Sequence, residues 1–320
     1  MTKIWVLTDD RMGNISQVLG VAEALDEAYE RKEIRYDAFV RLPNFLRGRT
    51  LLGVAAQSRT QLTAPWPDLV IAAGRRLYPV ARFIKKSSGN KTKIVQLMNP
   101  GAAGFSEADL IVLPMHDGYR GRAQNVMQTL GAPHRVTRDR LAQELEKWRS
   151  VFEKYASPRV SVIVGGATKQ APFTVDMAER LASDVLFLNP ASILVTTSRR
   201  TPKEVVEVLK KRFPKEQTYF YEFGNEGENP YFGLLAWGTK IVVTGDSMSM
   251  CSEACASGVP VFIFAPPGTM GKKHMRFHQE LVSSGYASIL GSGQTAFGGS
   301  LNAAADVAEK IKSLFSSDLS

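Results

Sequence analysis

Two adjacent arginines follow an apolar stretch in the C-terminal half of the chain, where they could hold a phosphate or a pyrophosphate. Ser198, Arg199 and Arg200 lie between a predicted strand, 192–197, and a predicted helix. Residues 201–204 (TPKE) have the pattern of a capping box with Pro at the first helical position, so the turn is short. Two guanidinium groups on such a turn offer bidentate geometry that lysine lacks. The alternative is that the two arginines form ion pairs on the protein surface.

The segment TGDSMSMCSEA (244–254) indicates a second anion site, because a predicted strand runs into small polar residues and then into a helix. The amide groups at the start of that helix, with Asp246, Ser247 and Ser249, are candidate phosphate-binding groups. Glu253 lies within the first turns of the helix and could accept hydrogen bonds from a ribose diol. The alternative for Glu253 is a carboxylate that is favourably placed in the helix dipole.

A glycine pair, Gly165-Gly166, directly follows the predicted strand 159–164. Glycines at this point allow a backbone to approach a phosphate closely, although such a pair alone is a weak signal. The stretch 268–272 (GTMGK) does not have the spacing of a Walker A loop, and no GxGxxG follows the first strand. The second absence counts against a nicotinamide or flavin enzyme.

The cysteine and histidine spacings do not favour a metal centre. Cys251 and Cys255 lie four apart in a predicted helix, so we expect them to pack as small apolar residues. His274 and His278 have the spacing of a helical metal pair, but basic residues surround them and no carboxylate lies between them. We therefore expect no metal, and the histidines are interpreted either as a helix end that faces a phosphate or as structural residues.

Polar residues also follow the predicted strands of the N-terminal half. The first strand is followed by 9–13 (DDRMG), which includes Asp9 and Gly13, and a later strand by His116 and Asp117. Ligands of open parallel sheets bind beyond the carboxyl ends of the strands. One such set of loops in each half is what a ligand cleft between two sheets would need, although loops of this kind are often simply polar.

The elements that would position these residues alternate between strand and helix through both halves. Continuous apolar runs of four to six residues suit strands that are buried on both faces of a parallel sheet. We therefore predict an α/β fold with two Rossmann-like doubly wound domains, 1–157 and 158–320. The predicted strands are 3–8, 34–40, 68–73, 93–98, 109–114, 159–164, 192–197, 218–223, 239–244, 259–264 and 286–290, with helices at 15–31, 75–87, 140–156 and 301–315.

The chain of 320 residues carries a net charge of +9, and this charge is unevenly distributed. Residues 1–155 hold 24 basic and 16 acidic residues, whereas 156–320 hold 16 and 15. Such a surplus favours an anionic partner: nucleic acid, a phosphorylated ligand or a membrane surface. No apolar run reaches the roughly 18–20 residues of a membrane span, and the N-terminal run is too short for a signal peptide. We expect a cytoplasmic protein.

Several motifs resemble those of the Elm-type mitochondrial fission family and its bacterial relatives. They are LTDDRMGNISQ, VLPMHD, VTTSRRTP, NPYFGLLAWGTKIVVTGDSMSMCSEACASGVPVF and RFHQELVSSGYA, and the match extends over nearly the whole chain. The second half also resembles GT-B glycosyltransferases, because SEACASGVP is similar to their E-A-x-x-x-G-x-P helix. The stretch HQELVSSGYA looks like part of the peptidoglycan N-acetylglucosaminyltransferase, which acts on a lipid-linked acceptor.

This resemblance implies a GT-B-like pair of domains with a nucleotide-sugar donor on the second domain, and a last helix that crosses back toward the first. It implies that Glu253 binds the nucleotide ribose and that no cofactor is needed beyond the donor substrate. An acceptor hydroxyl would need a base, for which His116, oriented by Asp117, is the first candidate and Asp9 the second. Asp10 stands where many relatives are expected to have glycine, so we assign it no catalytic role.

Two rival functions remain open at this point. The resemblance also implies a non-catalytic adaptor that recruits a protein partner to a membrane. Nucleic-acid binding ranks last, because the basic stretch 41–93 lacks a recognised motif and a stacking platform. In that stretch apolar residues mingle with arginines, which predicts docking on anionic lipid, with a solvated basic face as the alternative. The residues concerned are Phe45, Leu46, Leu51, Leu52, Trp66, Arg41, Arg47, Arg49 and Arg59.

Overall fold

The structure, a computed structural model, describes residues 2–101, 104–168, 172–293 and 299–316. The chain folds into two compact units. Unit 1 comprises the chain up to Arg135 together with the segment from Asn302 onward, and unit 2 comprises Val136–Leu301. The division therefore falls at 135, earlier than the sequence-based position at 157, and residues 136–157 group with unit 2.

Unit 1 contains a six-stranded sheet of order β2-β1-β3-β4-β5-β6, in which all pairs are parallel. Side chains of β1 alternate between two cores, with Ile4 and Val6 facing one and Trp5 and Leu7 facing the other. Burial on both faces explains the unbroken apolar run of this strand. The elements are β1 (Ile4–Thr8), α1 (Met12–Leu25), β2 (Tyr29–Glu33), α2 (Asn44–Arg47), α3 (Ala56–Arg59), β3 (Leu69–Ala73), α4 (Gly74–Ser87), β4 (Lys93–Leu97), β5 (Leu110–Pro114) and β6 (Val126–Thr129), with single 3-10 turns at Ala38–Arg41, Phe105–Glu107 and Met115–Asp117.

Both edge strands of this sheet differ from the sequence-based prediction. The strand predicted at 34–40 is wrong, because the second strand is β2, at Tyr29–Glu33, and β6 was not predicted. Edge strands lie partly in solvent, so β2 (YERKE) and β6 (VMQT) lack the continuous apolar run that marks the central strands.

Unit 2 contains a second parallel six-stranded sheet, of order β12-β11-β10-β7-β8-β9. Strand order reverses between β7 and β10, which makes that position the topological switch point of the sheet. The predicted bounds of β7 and β8 are confirmed at both ends. The elements are α5 (Arg138–Lys147), α6 (Arg149–Phe152), β7 (Arg159–Val164), α7 (Val175–Phe187), β8 (Ser192–Thr197), α8 (Lys203–Arg212), β9 (Thr218–Tyr221), α9 (Tyr231–Trp237), β10 (Lys240–Thr244), α10 (Met248–Cys255), β11 (Val261–Phe264), α11 (Lys272–Ser283) and β12 (Ser288–Ile289), with a 3-10 turn at Lys215–Gln217.

The last helix, α12 (Ala303–Ser316), packs within unit 1. Its buried residues Ala304, Val307 and Ile311 join the core that includes Val18 and Val21 of α1. The chain therefore leaves unit 2 at Leu301 and completes unit 1 with its final helix. Among the described residues, no helix combines the length and the apolar character that a bilayer span requires.

Candidate functional site

Three loops meet at the carboxyl ends of β7, β8 and β10 in unit 2. These strands are neighbours in the parallel sheet, so their carboxyl ends emerge at the same edge. The predicted phosphate-binding residues of unit 2 lie in these loops. We call the arrangement the three-loop site, formed by Gly165–Gly166, Ser198–Thr201 and Gly245–Ser249.

Asp246, in the Gly245–Ser249 loop, is the buried carboxylate that links this loop to the other two. It accepts hydrogen bonds from the amide of Gly166 at 3.0 Å and from Oγ1 of Thr244 at 2.6 Å. Its Oδ2 also lies 2.7 Å from Nη2 of Arg200, whose side chain is 39% exposed. Asp246 thus acts as a support that holds the Arg200 guanidinium in place at the surface of the loops.

The glycine pair is explained by packing between the loops. The amide of Gly165 donates to Oγ1 of Thr244 at 2.7 Å. A β-carbon on Gly165 would overlap the carboxylate of Asp246, and one on Gly166 would overlap the carbonyl of Arg200. The turn therefore needs glycine for internal contacts alone.

The Ser198–Thr201 turn is tied to the glycine turn. The hydroxyl groups of Ser198 and Thr201 both donate to the carbonyl of Gly165, and the Ser198 amide donates to Oγ1 of Thr201 at 2.9 Å. The predicted capping box is wrong, because α8 begins at Lys203 and the Thr201 hydroxyl points back into the turn. Arg199 is exposed and, in the part of the chain that the structure describes, makes no ion pair.

The start of α10 contributes main-chain amides to the same edge. Ser247 is the N-cap of this helix, and its side chain accepts from the amide of Met250 at 3.4 Å. Its hydroxyl therefore has a structural role in this structure, and Ser249 is half-buried in the first turn. The amides of a first helical turn favour an anion near them.

Glu253 is buried on α10 and has a partner that the sequence analysis did not identify. The hydroxyl of Tyr231, at the start of α9, donates to its Oε2 at 2.5 Å. Burial and the neighbouring carboxylate raise the pKa of Tyr231 well above its usual value, so the phenol keeps its proton. No local motif links residues 22 positions apart, and only the sheet topology brings them together.

His278 supports the β10 loop from α11. Its Nε2 donates to the carbonyl of Gly245 at 2.9 Å, and burial lowers its pKa to about 4. A neutral imidazole of this kind suits a structural role, which is one of the two interpretations given to the His274–His278 pair. In the described ranges, no group of three or more His, Cys, Asp or Glu side chains could hold a metal ion.

The unit 1 candidates lie at the carboxyl edge of the other sheet. Asp9 follows β1, is 4% exposed and accepts from the amide of Arg11 at 3.1 Å. His116 is 3% exposed, and its Nε2 lies 3.9 Å from Oδ1 of Asp117, which is longer than a hydrogen bond. Gly13 is exposed in the first turn of α1.

The fold defines the class of the protein as a pair of Rossmann-like units of the GT-B type. A UDP-GlcNAc 2-epimerase from Methanocaldococcus jannaschii has a TM-score of 0.54 at 12% identity, over 98% of this chain and 99% of its own. MurG of Acinetobacter baumannii has a TM-score of 0.51 at 13% identity, over 98% and 90%. The predicted fold class is thereby confirmed.

The profile of the mitochondrial fission ELM1 family matches residues 12–315, and the chain belongs to that family. The uncharacterized protein RP120 of Rickettsia prowazekii (strain Madrid E) is 30% identical, over 97% of both chains. Mitochondrial fission protein ELM1 of Arabidopsis thaliana is 28% identical, over 66% of this chain and 54% of its own length.

Proposed function

We propose that unit 2 binds the nucleoside diphosphate of a nucleotide sugar and that the protein is a glycosyltransferase. The observation that carries the proposal is the pair of guanidinium groups at the three-loop site. Arg200 is held in place by buried Asp246, and the adjacent Arg199 is exposed. Structures of the same fold include a Streptomyces glycosyltransferase in complex with thymidine diphosphate, at a TM-score of 0.51 and 12% identity.

In this reaction the acceptor hydroxyl attacks the anomeric carbon and the nucleoside diphosphate leaves. Negative charge grows on the diphosphate in the transition state, so fixed donors at that point accelerate the reaction. Arg199, Arg200 and the first amides of α10 are the proposed donors, with Ser249 beside them. Glu253, held by Tyr231, is the proposed acceptor for the ribose hydroxyls. For the proton of the acceptor hydroxyl, the candidates are His116 and Asp9 of unit 1.

A thermal-shift panel with the UDP, GDP, CMP, ADP and dTDP forms of sugars tests donor binding, because a ligand that binds only the folded state raises the Tm. We expect one base to dominate and the shift to be lost in Arg199→Ala and Arg200→Ala. Arg180→Ala is the matched control, since Arg180 lies on α7 and its nearest carboxylate is Asp184. No shift with any of the donors at millimolar concentration contradicts the proposal.

A second candidate function is attachment to an anionic membrane, and one surface of unit 1 favours it. Phe39, Phe45 and Leu46 are exposed, Phe45 by 70%, and Arg41 lies beside them in sequence. We call these four residues the basic–apolar surface. Residues 38–67 contain no acidic residue, so this segment complements the charge of anionic lipid.

The predicted membrane surface is corrected in part. Arg47 is buried, and its guanidinium donates to main-chain carbonyls. Leu51 and Trp66 pack against the core of unit 1. Arg49 and Arg59 remain exposed but form ion pairs with Glu107 and Asp37.

Co-sedimentation with vesicles tests membrane attachment. We expect binding to phosphatidylglycerol vesicles and none to phosphatidylcholine vesicles, with loss in the double variant Phe45→Ala/Leu46→Ala. Phe187→Ala is the matched control, because Phe187 is a 91% exposed phenylalanine of unit 2. Equal binding to both lipids, or to neither, contradicts this candidate function.

The two candidate functions also differ in cells. If Arg199→Ala and Glu253→Ala both leave the cellular function intact while the basic–apolar surface is required, the adaptor function is favoured. If both variants abolish the cellular function, that function requires the donor site.

A further inference from the structure

Unit 1 has its own switch point, between β1 and β3, and two long helices begin there. Helix α1 starts at Met12 after β1, and α4 starts at Gly74 directly after β3. Neither helix has a side-chain hydrogen bond at its N-cap. Gly74 has a φ of +75°, a conformation that glycine adopts without strain, and this allows the helix to follow the strand without a loop. Uncapped first turns favour an anion but do not by themselves make a site.

Two buried polar groups near this point have no partner. Oδ2 of Asp9 and the hydroxyl of Tyr36 are both inaccessible to solvent, and neither makes a hydrogen bond within the described residues. The two groups lie on neighbouring segments, because the amide of Ile34, two residues before Tyr36, donates to the carbonyl of Thr8, directly before Asp9, at 2.8 Å. In keeping with this, burial and then the charge of Asp9 raise the pKa of the Tyr36 phenol. An unsatisfied buried carboxylate oxygen or phenol costs free energy, so a pair of them needs a cause.

Positive charge surrounds this pair. The Arg76 guanidinium lies 5.7 Å from the ring centroid of Tyr36, and its Nη1 lies 3.2 Å from exposed Asp10. Arg47 is buried and donates to the carbonyls of Leu52 and Arg76, with no carboxylate partner among the described residues. Its positive charge is therefore left for another anion to balance. Arg75 is exposed on the first turn of α4.

We propose that this edge of unit 1 binds a ligand that carries both a free hydroxyl and a phosphate group, such as a sugar phosphate. The ligand hydroxyl donates to Oδ2 of Asp9 and accepts from the Tyr36 phenol. The phosphate lies on the first turn of α4, near Arg75 and Arg76. We call this the switch-point site. That such a ligand serves as acceptor rests on the proposed function, whereas its binding does not.

The chemistry of the two orphaned groups sets the ligand class. A carboxylate can only accept, and a phenol can donate, so one hydroxyl satisfies both at once. A phosphate alone would meet the Asp9 carboxylate with like charge, which is unfavourable. A neutral sugar would leave the charges of Arg47 and Arg75 unbalanced. Only a ligand with both groups satisfies the whole set.

Ligand-observed NMR with the full chain tests this inference, with glucose 1-phosphate as the probe. Inorganic phosphate and glucose serve as the single-group comparisons. We expect glucose 1-phosphate to bind at least tenfold more tightly than either, and Asp9→Asn and Tyr36→Phe each to weaken it by about tenfold. Tyr29→Phe is the matched control, since Tyr29 is a half-buried tyrosine at the start of β2. Equal binding of the three probes, or no effect of Asp9→Asn, overturns the proposal.

A competition experiment separates this inference from the proposed function. Saturating UDP should leave glucose 1-phosphate binding unchanged, and Asp9→Asn should leave UDP binding unchanged. Displacement of the probe by UDP would assign it to the three-loop site and overturn the inference. If the protein binds no nucleotide but still binds the probe through Asp9, the proposed function fails and the switch-point site stands.

Discussion

The carboxyl edges of the two sheets each hold a buried aspartate, and the two aspartates differ in how well they are satisfied. Asp246 in unit 2 has hydrogen bonds from Gly166 and Thr244 and an ion pair with Arg200. Asp9 in unit 1 is about as buried, yet one of its oxygens has no partner among the described residues. A satisfied carboxylate stabilises the fold around it. An unsatisfied carboxylate lowers the stability of the fold. A protein keeps such a carboxylate where a ligand completes the site.

The largest effect is expected when the satisfied aspartate is removed. Asp246→Ala leaves the Gly166 amide buried without a partner, removes the acceptor of the Thr244 hydroxyl proton and releases Arg200. We expect the free energy of unfolding, measured by urea denaturation, to fall by about 4 kcal/mol. Asp10→Ala removes an exposed aspartate of unit 1 and is the control, with a change within roughly 0.5 kcal/mol. A fall of that small size in Asp246→Ala would contradict the supporting role of Asp246.

The elements that carry both aspartates could be predicted from the sequence, because central strands give long apolar runs. The bounds of β7 and β8 are recovered in full, and those of β1, β4 and β10 to within one residue. The edge strands of unit 1 were missed or misplaced, since these partly exposed strands have no such run.

The partners within the sites could not be predicted, because they depend on contacts that are distant in sequence. Tyr231 pairs with Glu253, and Tyr36, which follows β2, lies near Asp9, which follows β1. Local signals also gave wrong expectations where a tertiary contact competed with them. Thr201 has the sequence of an N-cap, but its hydroxyl bonds to Gly165. Arg47 lies in a basic stretch, but α2 turns it into the interior.

The buried His278 of α11, which donates to the Gly245 carbonyl, should make the stability of unit 2 sensitive to acid. The pKa of His278 is about 4 in the folded chain and near 6.5 in the unfolded chain, because burial disfavours the charged imidazole. The unfolded state therefore takes up the proton first as the pH falls below 6.5, and stability is lost in that window. Between pH 7 and pH 5 we expect His278 to account for a loss of about 2 kcal/mol.

The measurement is urea denaturation at pH 7 and pH 5 of the original chain and His278→Gln, in which the side-chain amide retains a donor for the Gly245 carbonyl. The loss due to His278 should be absent from the variant. His274→Gln is the control on the same helix, since His274 is half-buried. The same loss in His278→Gln as in the original chain would show that other groups carry the acid sensitivity.

A smaller effect is expected at the second satisfied carboxylate of unit 2, that of Glu253. Tyr231→Phe removes the hydrogen bond to Oε2 and leaves the ring in place, so Glu253 is held less firmly. If Glu253 binds the ribose, we expect the Kd for the preferred nucleotide to rise about fivefold, roughly 1 kcal/mol. Isothermal titration with the nucleotide and its 2′-deoxy form checks this. The difference in Kd between the two ligands should be smaller in the variant than in the original chain. If the difference between the two Kd values is the same in Tyr231→Phe as in the original chain, Tyr231 has no part in ribose recognition.

The smallest effect, and the one of opposite sign, is expected at the unsatisfied aspartate. Burial raises the pKa of Asp9, so the ionised carboxylate is less favourable in the folded chain than in the unfolded one at neutral pH. Asp9→Asn removes that cost and should raise the Tm slightly at pH 7. The gain should vanish as the pH falls below about 4, where the carboxyl group is protonated in both states.

The same variant should bind glucose 1-phosphate about tenfold more weakly, so Asp9→Asn would gain stability and lose affinity, whereas Asp246→Ala would lose stability. Differential scanning fluorimetry across pH 3.5–7 checks the sign, with Asp37→Asn as a partly exposed control in unit 1. A fall in Tm at pH 7 as large as that of Asp246→Ala would mean that Asp9 also supports its loop. The buried aspartates at the two sheet edges would then have the same structural role.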